Sequence, residues 1–108
     1  MSAEEHGRWE LDLWNGSAWF SGWFRQRLQW PAEGSRKKLD ALRPHLAPGA
    51  WEKLLLGIRA HLEEQAALDV VIEVLVNGQT ERWRVQGSAE RSPAGRPMCV
   101  AGTMSCEP

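Results

Sequence analysis

The sequence predicts a single α+β domain in which helices lie between two groups of antiparallel strands. Three observations predict it: apolar residues alternate near both ends of the chain, Asn-Gly pairs join such segments into hairpins, and an amphipathic helical segment lies between them. Helices that cover one face of an antiparallel sheet give this class. The chain has 108 residues, a length that supports one hydrophobic core rather than two.

The first predicted hairpin lies near the N-terminus. Trp9, Leu11 and Leu13 alternate with other side chains, as in a half-buried strand. Asn15-Gly16 follows and favours a type I′ turn, because both central residues of that turn need positive φ. Residues 17–20 then form the returning strand.

A short helix and a polar loop are predicted next. Ser21 is the expected N-cap of a helix over residues 23–29, which ends before Trp30-Pro31. The polar stretch 32–38 predicts a loop, and its three basic residues, 36–38, are expected only to aid solubility.

The longest helix is predicted in the middle of the chain. A short stripe of leucines, interrupted by Pro44, precedes it: Leu39, Leu42 and Leu46. Pro48 suits the first helical turn. The apolar residues that follow recur at helical spacing and predict a helix to about Gln65: Trp51, Leu54, Leu55, Ile58 and Leu62. We expect this helix to seal the inner side of the sheet.

Three strands fill the rest of the chain. Residues 70–76 alternate, and Asn77-Gly78 gives a second hairpin turn. Residues 80–89 form the partner strand, and residues 98–106 form a final strand after a loop. In the partner strand Trp83 and Val85 point to one face, and Arg82, Arg84 and Gln86 point to the other.

Composition excludes several classes of protein. Thirteen Lys and Arg against fourteen Asp and Glu give a formal net charge of -1, so there is no basic field to attract nucleic acid. Apolar stretches fall short of the roughly 18–20 residues of a membrane span, and the acidic start is unlike a signal peptide. We therefore expect no direct membrane contact. Two cysteines favour a reducing, cytoplasmic setting.

Five segments resemble, in order, the motifs of a PAS domain with a PAC-type C-terminal motif, a sensor module of bacterial signalling proteins. They are WELDLWNG, AWFSGWFRQRLQW, LAPGAWEKLLLGIRAHL, VVIEVLVNGQTERWRV and SPAGRPMCVAGTMS. The resemblance extends over residues 7–106. There are two departures: the family's His-Pro-x-Asp element is reduced to Ala-Pro-Gly-Ala at 47–50, and its closing Asp-Ile-Thr is Cys-Glu-Pro at 106–108.

The resemblance implies a five-stranded antiparallel sheet of order 2-1-5-4-3, numbered along the chain, with helices on one face. It implies an N-terminal tail at 1–8, one domain at 9–106, and at 107–108 a boundary to an effector in the same polypeptide. That effector would be a GGDEF-type diguanylate cyclase or a histidine kinase. The domain itself would be no enzyme, and would regulate this output through small-molecule binding or dimerisation.

Two other functions stay open. One is a ligand-free protein–protein dimerisation module, and the other is a small-molecule-binding enzyme or carrier with a cone-shaped α+β fold. A homodimer would form through the sheet face, where Trp14, Val71 and Leu75 add apolar area. On that face Arg82 and Arg84 are expected to form cross-strand ion pairs with Glu73.

The aromatic residues have two interpretations. Five of the seven tryptophans either line a ligand cavity or fill the core themselves: Trp19, Trp23, Trp30, Trp51 and Trp83. We favour a filled core, because a small domain must reach native packing density. The candidate pocket residues are Trp19, Trp23, Leu28, Trp30, Trp51, Leu55, Ile58, His61, Leu62, Ile72 and Trp83.

No catalytic, metal or cofactor site is predicted. The chain has no GxSxG, HExxH or CxxC motif and no phosphate-binding loop, and His6, His45 and His61 lie on separate elements. Haem-binding PAS domains place an axial histidine on the long helix, which would make His61 the candidate ligand. We prefer to interpret His61 as a half-buried histidine. The Asn-Cys-Arg-Phe-Leu-Gln element of flavin-binding members is absent, so no covalent flavin site is expected.

The two cysteines are expected to be free thiols. Cys99 and Cys106 lie seven residues apart on one predicted strand. An odd spacing places them on opposite faces of the strand, too far apart to form a disulfide.

Overall fold

The computed structural model describes residues 5–30 and 36–107, except for the side chain of Arg36. Within these residues the strands are β1 (His6–Asp12), β2 (Ser17–Phe20), β3 (Arg36–Lys38), β4 (Leu68–Val76), β5 (Gln79–Arg91) and β6 (Pro97–Glu107). The helices are α1 (Gly22–Leu28), a 3-10 helix (Leu39–His45) and α2 (Ala50–Glu64). The first strand thus begins within the expected tail. Residues 1–4, 31–35 and 108 of the expected tail, loop and boundary lie outside the described residues.

One antiparallel sheet contains all six described strands, in the order β3-β2-β1-β6-β5-β4. The five expected strands are adjacent in the predicted order. The prediction of a loop at 36–38 is wrong, because these residues form β3 and pair with β2, with Ser17 opposite Lys38 and Trp19 opposite Arg36. A short basic strand is a common edge of a sheet, since its charges discourage pairing with another chain.

The two hairpin turns differ in geometry. Asn77 and Gly78 both have positive φ, at 52° and 78°, as the predicted type I′ turn requires. In the first hairpin only Gly16 of the Asn-Gly pair has positive φ, so the type I′ prediction is wrong there. Asp12 is the reason: its Oδ1 accepts from the Trp14 N–H at 2.8 Å and its carbonyl accepts from the Gly16 N–H at 2.9 Å.

Ser21 precedes α1 as predicted, but its hydroxyl does not cap the helix. The Oγ atom accepts a hydrogen bond from the backbone N–H of Arg8 at 2.9 Å. The capping prediction is therefore wrong in mechanism, because β1 supplies a competing donor. This bond ties the start of α1 to the first strand.

The long helix α2 packs beside β4 as the apolar pattern predicts. Leu54 and Ile58 are buried and Trp51 is half-buried, whereas Leu55 is 40% exposed. The expected burial of Leu55 is wrong, since at 100° per residue its side chain lies beyond the edge of the face centred on Leu54 and Ile58. No described helix has both the length and the apolar character that crossing a membrane requires.

Candidate functional site

Two glycines on the inner face of the sheet, Gly7 and Gly87, make room for large rings. Trp9 lies opposite Gly102, which lies opposite Gly87 on the next strand. A Cβ atom at Gly87 would be 3.0 Å from Cζ2 of Trp9, and a Cβ atom at Gly7 would be 2.6 Å from Cε3 of Trp23. The indoles therefore lie directly against the backbone of the sheet, where side chains are missing.

The rings between the sheet and the helices contact one another in a continuous cluster. Trp23 and Trp83 have centroids 4.7 Å apart, and Trp23 and Phe24 have centroids 5.1 Å apart. Phe20 joins the cluster at 5.0 Å from Phe24 and at 5.2 Å from Trp30. Mostly tilted or edge-to-face pairs of this kind each contribute about 0.5–1.5 kcal/mol beyond burial. The cluster occupies the space between the sheet and the helices that a ligand cavity would need.

The structure brings together most of the predicted pocket residues, as core rather than as lining. The buried ones are Trp23, Leu28, Ile58, Ile72 and Trp83, and the half-buried ones are Trp30, Trp51, His61 and Leu62. Leu55 and Trp19 are placed differently. Trp19 lies between buried Ala18 and Phe20 and so faces the outer side of the sheet, where the Arg8 guanidinium lies 5.9 Å from its ring centroid.

Recesses lie at the surface of the domain, and the two described next are not lined by rings of the aromatic cluster. One of about 400 Å³ lies between the start of α2 and β4, and Ile72 is the predicted pocket residue that lines it. Another of about 190 Å³ lies between α1 and the β4–β5 turn, where Leu28 is one of the lining residues. Neither recess combines the predicted residues into one pocket.

Two buried indole donors have no partner within the described residues: Nε1 of Trp9 and Nε1 of Trp23. Two other indoles of the interior have partners: Trp83 donates to Oε1 of Glu81 at 2.9 Å, and Trp30 donates to Nε2 of His45 at 3.2 Å. An unpaired buried donor costs about 1–3 kcal/mol. The two donors are thus the chemical feature of the interior that a hydrogen-bond acceptor would complement.

His61 uses both ring nitrogens within the domain. Its Nε2 accepts from the backbone N–H of Ala89 at 3.0 Å, and its Nδ1 lies 2.7 Å from the carbonyl oxygen of Ala66. Because Nε2 accepts, Nδ1 carries the proton and donates to Ala66. In this arrangement neither nitrogen has a lone pair to offer to haem iron.

His45 is the half-buried partner of Trp30. Its Nε2 accepts from the indole N–H, which requires that nitrogen to be unprotonated, and burial lowers the pKa of the His45 imidazole. The folded domain therefore holds His45 neutral at a pH where the unfolded chain protonates it. Stability depends on pH through this residue.

We expect acid to destabilise the domain partly through His45. Unfolding takes up a proton as the pH falls below about 6.5, so stability is lost as the pH falls further. His45→Gln keeps an acceptor for Trp30 and does not titrate, so its free energy of unfolding should fall less on acidification. Urea unfolding at about pH 8 and about pH 5 measures this. The exposed His6→Gln is the control, and equal losses in wild type and His45→Gln would contradict the expectation.

The outer face of the sheet carries an ion pair centred on Arg84. Its guanidinium binds Asp69 through two hydrogen bonds, 2.8 Å and 2.6 Å long, and lies 3.8 Å from Glu107. Arg84 lowers the pKa of the Asp69 carboxyl through these bonds. The expected pairing with Glu73 is thus replaced by pairing with Asp69, although Glu73 lies opposite Arg82 in register.

The exposed apolar residues of the outer side lie at opposite ends of the sheet. Trp14, 88% exposed, is in the β1–β2 turn beside Met98, which is 53% exposed. Leu75 is 42% exposed, next to the β4–β5 turn, and half-buried Val71 lies on the same strand. These residues do not form one continuous patch within a single copy.

Solved structures similar to this one include those of two histidine kinases and a diguanylate cyclase. A sensory box histidine kinase/response regulator from Burkholderia thailandensis has TM-score 0.76 and 20% identity, over 94% of this chain and 76% of that chain. The N-terminal domain of a diguanylate cyclase with PAS/PAC sensor from Marinobacter aquaeolei has TM-score 0.78 and 14% identity, over 94% of each chain. A domain of a protein described as a light and redox sensing histidine kinase from Haloarcula marismortui has TM-score 0.80 and 16% identity, over 99% and 93%.

The chain has the PAS fold. At these identities the likeness shows the fold, and it confirms the α+β class and the expected arrangement of five strands. No protein-family model matches the sequence, and no curated protein matches it. The strand β3 is an addition to the five strands that the resemblance implied.

Both cysteine thiols of this PAS fold lie beside carboxylates. Cys99 and Cys106 are free and lie on opposite faces of β6, as predicted. Burial and contact with Glu90 raise the pKa of the Cys99 thiol, and burial and a hydrogen bond to Glu81 raise that of Cys106. Both environments disfavour the thiolate, which is the reactive form.

Sequence reasoning missed three buried rings. Trp9, Phe20 and Phe24 are 1%, 3% and 0% exposed. Phe20 contacts Trp30, and Phe24 contacts Trp23 and Trp83. The signal that could have found Trp9 is the pair of glycines within the strands, Gly87 and Gly102. A glycine inside a strand often marks the close approach of another group.

Proposed function

We propose that this domain is a PAS-type sensory module that regulates an output domain in the same polypeptide. The proposal is supported by the fold, since the three similar structures come from two histidine kinases and a diguanylate cyclase. The output would accordingly be a histidine kinase or a GGDEF-type diguanylate cyclase. A cytoplasmic location is part of the proposal, supported by the two free thiols.

The filled interior is the observation that favours association over ligand binding. Trp9 and Trp23 lie against glycines of the sheet, and Trp23 packs on buried Trp83. A ligand would have to displace at least one indole and forfeit its burial. We therefore propose that the module acts through association with a second copy, and that it binds no cofactor.

The outer sheet face is the proposed dimer surface. In an isologous dimer with antiparallel faces, the Trp14 end of one copy lies against the Leu75 end of its partner. This arrangement joins apolar residues that are separate in one copy. Three carboxylates lie on the outer face near Trp14: Glu10, Asp12 and Glu90. The same arrangement brings them towards Arg82 of the second copy, which lies near Leu75.

We expect Trp14→Ala and Leu75→Ala each to weaken dimerisation about tenfold or more, because each removes an apolar anchor of the interface. Sedimentation velocity over a concentration series measures the dissociation constant. Leu56→Ala is the matched control, since Leu56 is 64% exposed on α2 and lies away from the outer face. Dissociation constants equal to that of the control would contradict this interface.

Regulation itself can be tested with the chain fused to a diguanylate cyclase domain. Two such domains must meet to join two GTP molecules, so the rate of product formation reports their association. We expect Trp14→Ala to lower this rate relative to Leu56→Ala at equal protein concentration. Equal rates in all three proteins would contradict regulation by this surface.

A second candidate function, a small-molecule sensor, is favoured by the unpaired donors of Trp9 and Trp23. A ligand with a hydrogen-bond acceptor would satisfy them if the rings rearranged. For catalysis we propose no role: His6, His45 and His61 lie apart, and the last two bind Trp30 and backbone groups. Haem ligation by His61 would first have to break the bond to Ala89.

A further inference from the structure

A polar cluster lies where α1 meets β5 and the end of β6. Its centre is the carboxylate of Glu81, whose side chain is 32% exposed. Oε1 of Glu81 accepts from the buried indole of Trp83 at 2.9 Å and from the Cys106 thiol at 3.4 Å. Arg27 of α1 donates to both carboxylate oxygens, at 3.2 Å and 3.4 Å.

The donors to Glu81 come from three different elements. Arg27 is on α1, Trp83 is on β5 and Cys106 is the next-to-last residue of β6. The Arg27 guanidinium also lies 4.7 Å from the ring centroid of Trp23, whose ring contacts Trp83. The carboxylate thus joins the aromatic cluster, the first helix and the strand that leads out of the domain.

We propose that Glu81 is a latch that couples α1 to the end of β6. A shift of α1 that withdraws Arg27 leaves the carboxylate to be shared by Trp83 and Cys106, and so changes how firmly the end of β6 is held. The use of this coupling in signalling rests on the proposed function, whereas the coupling itself does not. Evidence for such a coupling is a measurable change at the end of β6 when only α1 is altered.

A simpler role for Glu81 is to satisfy the buried N–H of Trp83 and nothing more. Glu81→Gln separates the two roles, because the amide oxygen still accepts from Trp83 while the negative charge beside Arg27 and Cys106 is lost. Cys106 itself is the probe. Its pKa is raised by burial and by the bond to Glu81, and is lowered by the charge of Arg27.

The first experiment measures alkylation of Cys106 by iodoacetamide in a Cys99→Ser background. We expect Glu81→Gln to raise the rate several-fold and Arg27→Gln to lower it, because only the thiolate reacts. Arg59→Gln is the control, since Arg59 pairs with Glu63 on the exposed side of α2. If both test variants raise the rate, as general loosening would, or if neither differs from the control, the latch is wrong.

The second experiment measures amide hydrogen exchange of the same variants. We expect Arg27→Gln, a change on α1, to slow exchange several-fold at residues 103–107 of β6, because the carboxylate freed from Arg27 then binds Trp83 and Cys106 alone, while Arg59→Gln leaves these residues unchanged. Faster exchange at residues 103–107, or a change confined to α1, would overturn the coupling. Both experiments use the chain without an output domain, so failure of the latch and failure of the proposed regulation are separate results.

Discussion

Gly102→Ala should destabilise the domain by about 3 kcal/mol or more, and by more than one added methyl group costs at Gly16. Gly102 lies in β6 between Trp9 and Gly87. A Cβ atom there would collide with the carbonyl oxygen of Gln86 and would lie 2.5 Å from Cα of Gly87. Because the collision is with backbone, β5 and β6 must separate in the middle of the sheet.

Urea unfolding measures this loss, and Gly16→Ala is the control. Gly16 has φ +75° and nothing within 4 Å of an added Cβ atom, so alanine there costs about 1–2 kcal/mol for its left-handed backbone alone. If Gly102→Ala were no more destabilising than Gly16→Ala, the close approach of β5 to β6 at this point would be wrong.

Trp23→Ala should destabilise the domain by about 3–5 kcal/mol, because it leaves a hole in the aromatic cluster. Trp23 is 2% exposed and contacts Trp83, Phe24 and the guanidinium of Arg27. Its indole N–H has no partner within the described chain, so the loss is one of packing rather than of a hydrogen bond.

Added indole should restore part of the stability lost in Trp23→Ala. A ligand that binds only the folded state raises the Tm with its concentration, and apolar cavities in proteins take up small aromatic molecules. Wild type should show no such rise, because its interior is filled. The control for the loss in Trp23→Ala is Trp14→Ala, measured in dilute samples so that dimerisation does not contribute. It should change the free energy of unfolding by less than about 0.5 kcal/mol, since Trp14 is 88% exposed. A Tm rise with indole in wild type equal to that in Trp23→Ala would contradict the filled interior.

The strands and their hairpins were predictable because their signals are local. Alternation of side chains marks β1, β4 and β5, and Asn77-Gly78 fixes the register of the β4–β5 hairpin through its own dihedral angles. The helix α2 was predictable for the same reason, since its buried residues recur within one helix. The relative order of the two strand groups came from the resemblance to PAS domains.

Two of the errors, at Ser21 and Arg84, have a different origin, which is a partner distant in sequence. The Ser21 hydroxyl accepts a hydrogen bond from the N–H of Arg8 instead of capping α1, and Arg84 pairs with Asp69 instead of Glu73. The prediction that Trp19 lines the interior is wrong for another reason: the alternation of β2 buries Ala18 and Phe20 and so places Trp19 on the outer face. The latch at Glu81 could not be anticipated, since it joins elements whose packing is decided by the tertiary fold.

A native mass spectrum of the purified wild-type protein tests the filled interior most directly. It reports bound compounds and the number of copies in one measurement. We expect the masses of the bare chain and of its dimer, with nothing bound in stoichiometric amount. A stoichiometric small molecule, lost from the protein when Trp9 or Trp23 is changed, would contradict a core sealed by its own side chains.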